Sequence, residues 1–216
     1  MEPVILTTDQ TSVLQLFSKN ELLSKLFYLS GGTALSAFYL HHRYSDDLDF
    51  FSDTPFELSV ISPFIADVKN TLRTTSPTYE HLYDRHIFIF AAKTILKIEF
   101  TLYPFAHLAP FEQKNGVSVD SKLDIAVNKL FALFGRNEPK DFVDLYVLLQ
   151  QLSLDTLIEG AKKKFDFAIS PMTLGSELLK IRHLEMFPRM ITPLSKETLI
   201  DFFEKKAHDL GNQVVL

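Results

Sequence analysis

Apolar and polar positions alternate along three neighbouring segments of the chain and elsewhere recur every three to four residues. The pattern predicts strands mixed with helices, giving way to helices alone. Strands are expected over 79–83, 87–91 and 94–102, joined by short turns at Asp84-Arg85 and Ala92-Lys93. In the last of these, Leu96, Ile98, Phe100 and Leu102 fall on one face, and Ile95, Lys97, Glu99 and Thr101 on the other. A short apolar run at 26–29 is broken by Gly31-Gly32, after which 33–40 continues as a good helix former. Leu58, Ile61, Ile65, Val68 and Leu72 mark a further helix, which Pro63 is expected to break or to start late. Tyr103-Pro104, Ala109-Pro110 and Asn115-Gly116 read as a loop-rich connection. Beyond it Leu123, Val127, Leu130 and Phe134 form the core stripe of one helix, and Pro139 opens the next. The fold class expected is α/β (α+β), with one domain over 1–118 and a helical one over 119–216.

Composition supports a packed chain. Of 216 residues 46% are hydrophobic and 20 are Phe, enough to bury a sizeable core, and no apolar run reaches the roughly 18 residues of a membrane span. Met1-Glu2-Pro3-Val4 lacks the basic start and apolar stretch of a secretory leader, so a cytoplasmic location is expected. With no Cys, disulfides, zinc–thiolate sites and cysteine nucleophiles are excluded. His41-His42 would point apart on a helix, and there is no Gly-x-Ser-x-Gly elbow, so neither zinc nor serine hydrolase chemistry is recommended. The net charge is −5, with 9 Lys and Arg against 13 Asp and Glu up to residue 118 and 13 against 14 beyond it. That balance disfavours indiscriminate binding to nucleic acid and leaves selective binding through a local basic patch open.

The candidate chemistry lies at Gly31-Gly32-Thr33 and at Asp47 and Asp49. A glycine turn opening a helix presents unpaired N–H groups and the positive end of the helix dipole, which suit phosphate oxygens, with the Thr33 hydroxyl as an added ligand. The turn matches neither the P-loop nor the dinucleotide-binding glycine pattern. Asp47 and Asp49, two apart in an extended segment, point to the same side and can converge on divalent ions, while Leu48 and Phe50 face a core. The same acidic run, with Asp46, also reads as a polar turn before a strand.

The run Gly31-Gly32-Thr33-Ala34-Leu35, then His42-Arg43 with Ser45, Asp47-Leu48-Asp49-Phe50-Phe51, and later Lys129-Leu130, Ala132, Arg136, Lys140-Asp141 and Asp144-Leu145, resembles the AbiEii/AbiGii nucleotidyltransferase toxins. These belong to the DNA polymerase β-like nucleotidyltransferase superfamily. The resemblance spans about 25–195 and implies a minimal nucleotidyltransferase domain with a mixed sheet, followed by an α-helical bundle. It implies a nucleoside triphosphate substrate held by Gly31, Gly32, Thr33, Lys129, Arg136 and Lys140. Two Mg²⁺ ions would sit on Asp47, Asp49 and a third carboxylate, Glu99, which would also take the proton of the acceptor hydroxyl. Ser45, Asp141 and Asp144 would orient their neighbours. The acceptor implied is an RNA 3′ end, tRNA above all, in a toxin–antitoxin or abortive-infection setting with a cognate antitoxin. The chain departs from the superfamily in carrying Thr33 where Ser is frequent and Glu99 where Asp is frequent.

Several residues keep a second reading. Glu99 could be a surface carboxylate paired with Lys97; Lys122, Lys129 and Arg136 a solvated basic stripe; Asp141 and Asp144 helix-start charges, with a Lys140–Asp144 pair. Lys162-Lys163-Lys164 reads as a solvated helix face or as an RNA contact. Arg182-His183 and Phe187-Pro188-Arg189-Met190 read as a loop suited to stacking on a base or docking a partner. The rival functions are nucleotidyl transfer to a small molecule or protein, and a nucleotide- or protein-binding module without turnover.

Overall fold

The computed structural model describes residues 5–184 and 186–214. Met1-Glu2-Pro3-Val4, on which the expectation about a leader rests, lie outside them. Two compact units form: one holds the described residues up to Phe105 together with Pro110–Ser121, the other Ala106–Ala109 and the described residues from Lys122 onward. The sequence puts the change near residue 118, whereas the main chain passes from the first unit to the second between Ser121 and Lys122. Asp120 stays with the first unit because its N–H donates to Leu29 O at 2.9 Å and its carboxylate accepts from the Ser30 hydroxyl at 2.9 Å.

The first unit is built on a mixed seven-stranded sheet. In chain order it contains α1 (Thr8–Ser18), α2 (Glu21–Leu26), β1 (Tyr28–Ser30), α3 (Gly31–Leu35), a π-helical turn (Ser36–Leu40), β2 (Asp47–Ser52) and α4 (Leu58–Leu72). Then come β3 (Thr78–Leu82), β4 (Arg85–Ala91), β5 (Ile95–Leu102), β6 (Glu112–Lys114) and β7 (Val117–Val119). The strand order is β3-β4-β5-β2-β1-β7-β6, with β2/β5 and β1/β7 parallel and the other neighbours antiparallel.

One face of β2 and β5 is clamped by aromatic packing. Phe17 of α1 stacks on Phe50 at 4.3 Å, Phe50 on Phe100 at 5.2 Å, and Phe64 of α4 meets Phe17 and Phe100 edge-on. Because strand side chains alternate, burying Leu48 and Phe50 turns Asp47, Asp49 and Phe51 to the opposite face, where they are half-buried. The packing therefore fixes which way the carboxylates point.

Three expectations are corrected in this unit. Pro63 lies inside α4 rather than breaking or delaying it, since both Pro63 and Ser59, the carbonyl that loses its partner, are solvent-exposed and water can satisfy the gap. The loop-rich connection contains the hairpin β6–β7, turned by Asn115-Gly116 at positive φ; strands of three residues are too short to display alternation. Arg85 begins β4 rather than forming the turn, which falls at Tyr83-Asp84.

The second unit carries α5 (Lys122–Ala132), α6 (Pro139–Leu148), α7 (Leu154–Phe165), α8 (Pro171–Leu179), a 3₁₀ turn (Lys180–His183) and α9 (Lys196–Val214). Its core includes Val127, Leu130, Phe142, Leu174, Leu199 and Phe203, with Phe142 edge-on to Phe203 at 5.4 Å. Arg182, expected in a loop, lies in the 3₁₀ turn, with its Nε 2.7 Å from Glu204. No helix among the described residues is long and apolar enough to cross a membrane.

Candidate active site

The turn at Gly31-Gly32 sits directly against the acidic strand. Gly31 has φ +73°, a left-handed conformation that glycine adopts without cost, and a Cβ there would collide with the Asp49 carboxylate. A Cβ on Gly32 would fall 2.6 Å from Arg43 Nη2 and 3.2 Å from Ser45 Oγ. Arg43 is only 2% exposed and has no room to give way. Both glycines are thus needed for close approach. Ser30, which precedes the helix, makes no side-chain cap to it. Gly31→Ala is expected to cost about 1–2 kcal/mol of stability through the strained backbone and to cut activity at least tenfold by displacing Asp49; thermal melting and a transfer assay test it, and full activity would detach the turn from the site.

Thr33 departs from expectation. It is 1% exposed, and its hydroxyl donates to the Asp47 carbonyl, so it braces the start of β2 instead of facing a ligand. Ser45, expected to orient the site, is held through its backbone: Gln10 Nε2 donates to Ser45 O at 2.9 Å. Gln10 is itself set by a capping box with Thr7 at the start of α1.

The parallel pairing of β2 and β5 places Asp47 opposite Lys97 and Asp49 opposite Glu99. The three carboxylates expected from the sequence are thereby brought together, and a lysine is set among them. Lys97 Nζ lies 3.2 Å from Asp47 Oδ2, 3.8 Å from Asp49 Oδ1 and 3.2 Å from Glu99 Oε2. Burial would lower the Lys97 pKa, but the charges of Asp49, Asp47 and Glu99 outweigh it and raise the ammonium above its ordinary value. One cation already bridges all three acidic groups. Such an all-oxygen, anionic set suits a hard divalent ion, with Asp47 and Asp49 presenting the half-buried face.

Glu99 is not the surface carboxylate of the alternative reading, being 4% exposed. Arg85 grips it with a two-pronged fork, Nε to Oε1 at 2.6 Å and Nη2 to Oε2 at 2.8 Å, and the Thr101 hydroxyl donates to Oε1 at 2.8 Å. Burial alone would push the carboxyl up, but Arg85, Lys97 and Thr101 pull it down to about 2. So saturated a group is a weak base at neutral pH. This environment argues against the proton-acceptor role expected for Glu99 and suits a fixed negative charge. Nothing in the sequence singles out Arg85, because Asp84-Arg85 looks like a turn.

The candidates of the second unit form a cluster of their own. Lys129 is buried, with Nζ 2.7 Å from both Asp141 Oδ1 and Asp144 Oδ2, and Arg136 Nε is 2.7 Å from Asp141 Oδ2. Burial would raise the Asp141 pKa, yet Lys129 and Arg136 hold it below the ordinary value. The solvated-stripe reading therefore fails for Lys129. Asp141 and Asp144 both pair with Lys129, so neither serves only as a helix-start charge. Arg136 remains exposed and Lys140 partly so. Of the lysine run, Lys162 and Lys163 are exposed, but Lys164 has a fully buried side chain 2.7 Å from Asp124 and cannot belong to a solvated face.

A family model described as nucleotidyl transferase AbiEii toxin, type IV toxin–antitoxin system, matches residues 15–209. An uncharacterized protein of Aquifex aeolicus (strain VF5) is 34% identical over 152 residues, which make up 66% of this chain and 69% of that protein. The fold is similar to that of JHP933 from Helicobacter pylori, with TM-score 0.59, 18% identity, and 95% of this chain and 90% of that chain covered. It is also similar to MenT4, a nucleotidyltransferase toxin from Mycobacterium tuberculosis H37Rv, with TM-score 0.52, 12% identity, and 94% and 84% covered. The family match takes in both the carboxylate strands of the first unit and the Lys129–Asp141–Asp144 cluster of the second. The chain belongs to the AbiEii family of nucleotidyltransferase toxins of type IV toxin–antitoxin systems.

Proposed function

We propose that this nucleotidyltransferase is Mg²⁺-dependent and moves a nucleoside monophosphate from a nucleoside triphosphate to an RNA 3′ end, that of tRNA in particular, as the toxin of a pair with a cognate antitoxin. The observation that carries the metal reading is the convergence of Asp47, Asp49 and Glu99 on one cationic centre beside the glycine turn. Magnesium, when bound, supplies charge neutralisation for the triphosphate and makes an acceptor hydroxyl more acidic. Asp47 and Asp49 would hold two ions, with Glu99 as the third carboxylate, kept in place by Arg85. Gly31 and Gly32 would let backbone N–H groups approach the phosphates, at a helix start that Ser30 leaves without a side-chain cap. The acceptor hydroxyl would attack the α-phosphorus and lose its proton to solvent water, since Glu99 is too weak a base to hold it, while the bond between the α-phosphorus and the bridging oxygen breaks and pyrophosphate leaves with that oxygen. Lys129, Arg136 and Lys140 are proposed to contribute positive charge toward phosphate, with Asp141 and Asp144 fixing Lys129.

The test incubates the protein with each labelled nucleoside triphosphate, Mg²⁺ and total cell RNA, then separates RNA, protein and small molecules. Label on RNA that disappears with chelator is the expected result. Label on protein or a small molecule, with RNA untouched, would replace the RNA acceptor by the rival one. The exposed Lys162 and Lys163 are the α7 lysines available to RNA: reversing both charges is expected to raise the apparent KM for RNA several-fold and leave nucleotide affinity unchanged.

A further inference from the structure

Lys97 needs an explanation beyond neutralising a surface. Its ammonium, on a side chain 27% exposed, lies within 3.2 to 3.8 Å of oxygens from all three carboxylates. A divalent ion held by any of these carboxylates would share their oxygens with the ammonium, and two cations at so short a range would repel strongly. Lysine is suited to give way, since it is a point charge on a flexible four-carbon stem. Arg85 is not in the same position: its fork closes on Glu99 and fixes that carboxylate whichever way Lys97 turns.

We propose that Lys97 is a resident cation of the carboxylate centre, which a divalent metal ion displaces on binding, so that Lys97 sets the metal concentration at which the enzyme loads. Without metal, the ammonium keeps Asp47, Asp49 and Glu99 together against their mutual repulsion. On loading, each lysine–carboxylate contact is exchanged for a metal–carboxylate contact, and the cost of that exchange weakens the apparent metal affinity. The inference rests on the metal reading above.

Calorimetric titration with Mg²⁺ alone, on wild type, Lys97→Met and Lys97→Arg, tests it. Lys97→Met is expected to bind Mg²⁺ about tenfold more tightly than wild type, to melt at a lower temperature without metal and to gain more on adding it. Lys97→Arg, which keeps the charge, gains no affinity. If wild type binds Mg²⁺ and Lys97→Met binds no more tightly, the resident-cation inference falls and the metal reading stands. If neither binds, both fall. A second measurement needs no variant: acetylation of the Lys97 amine in wild type, followed by mass spectrometry, is expected to run several-fold faster with Mg²⁺ present, and an unchanged or slower rate overturns displacement.

Discussion

Asp49→Asn is expected to lower nucleotidyl transfer about a thousandfold or more while leaving the protein folded. The substitution keeps shape and removes one of the three charges that meet at Lys97, so a metal ion would have Asp47 and Glu99 alone to neutralise it. The fold does not depend on that charge. Leu48 and Phe50, buried on the other face of β2, hold the strand through stacking on Phe17 and Phe100, and Lys97 keeps two of its carboxylate contacts. Melting within a few degrees of wild type, alongside lost transfer, is the expected pair of results, and Asp47→Asn should behave alike. Asp46, exposed just before the strand, is the control: Asp46→Asn should transfer normally. If Asp49→Asn retained transfer within tenfold of wild type, the acidic strand would revert to an ordinary polar turn and the catalytic centre would have to be sought elsewhere.

How much of this site is legible in the sequence depends on how local each determinant is. Asp47 and Asp49 sharing a face follows from a period of two within one strand, and the structure has them so. The face shared by Lys97 and Glu99 follows in the same way. What the sequence does not contain is the register of β2 against β5, a parallel pairing of segments fifty residues apart. Without it Lys97 is only a neighbour of Glu99; with it, Lys97 is the cation at the centre. The direction of the Thr33 hydroxyl is hidden for a related reason. A helix start predicts free N–H groups, but which way a first-turn hydroxyl points depends on what packs beneath it, here the Asp47 carbonyl. Arg85 and the hairpin β6–β7 were hidden by turn-forming neighbours and by strands too short to show a period.

The Lys162-Lys163-Lys164 run was the least legible, because three identical residues hide one that differs in role, and it leads to the largest expected effect on stability. Asp124→Ala is expected to destabilise the second unit by about 3–5 kcal/mol, since it strands the Lys164 ammonium inside the unit without its counter-ion. The loss extends beyond the ion pair: Asp124 also accepts from Leu108 N at 3.0 Å and Ala109 N at 3.1 Å, which ties the 106–109 segment to α5, and those donors would be left without the carboxylate. Lys164→Met should cost less, because the methionine fills much of the space of the lysine stem and Asp124 retains its two backbone donors. Lys164→Glu would bury two carboxylates together and is expected to prevent folding of the second unit altogether. Reversing charge at Lys162 and Lys163, by contrast, should change stability by no more than about 0.5 kcal/mol, as befits exposed positions. Urea denaturation followed by circular dichroism ranks Asp124→Ala, Lys164→Met and the Lys162/Lys163 reversal against wild type, and Lys164→Glu is expected to lack the helical signal of the second unit from the start. An Asp124→Ala variant within 1 kcal/mol of wild type would mean that the buried pair is replaceable by water or by a shift of α7, and Lys164 would then rejoin its neighbours as a candidate for contact with RNA.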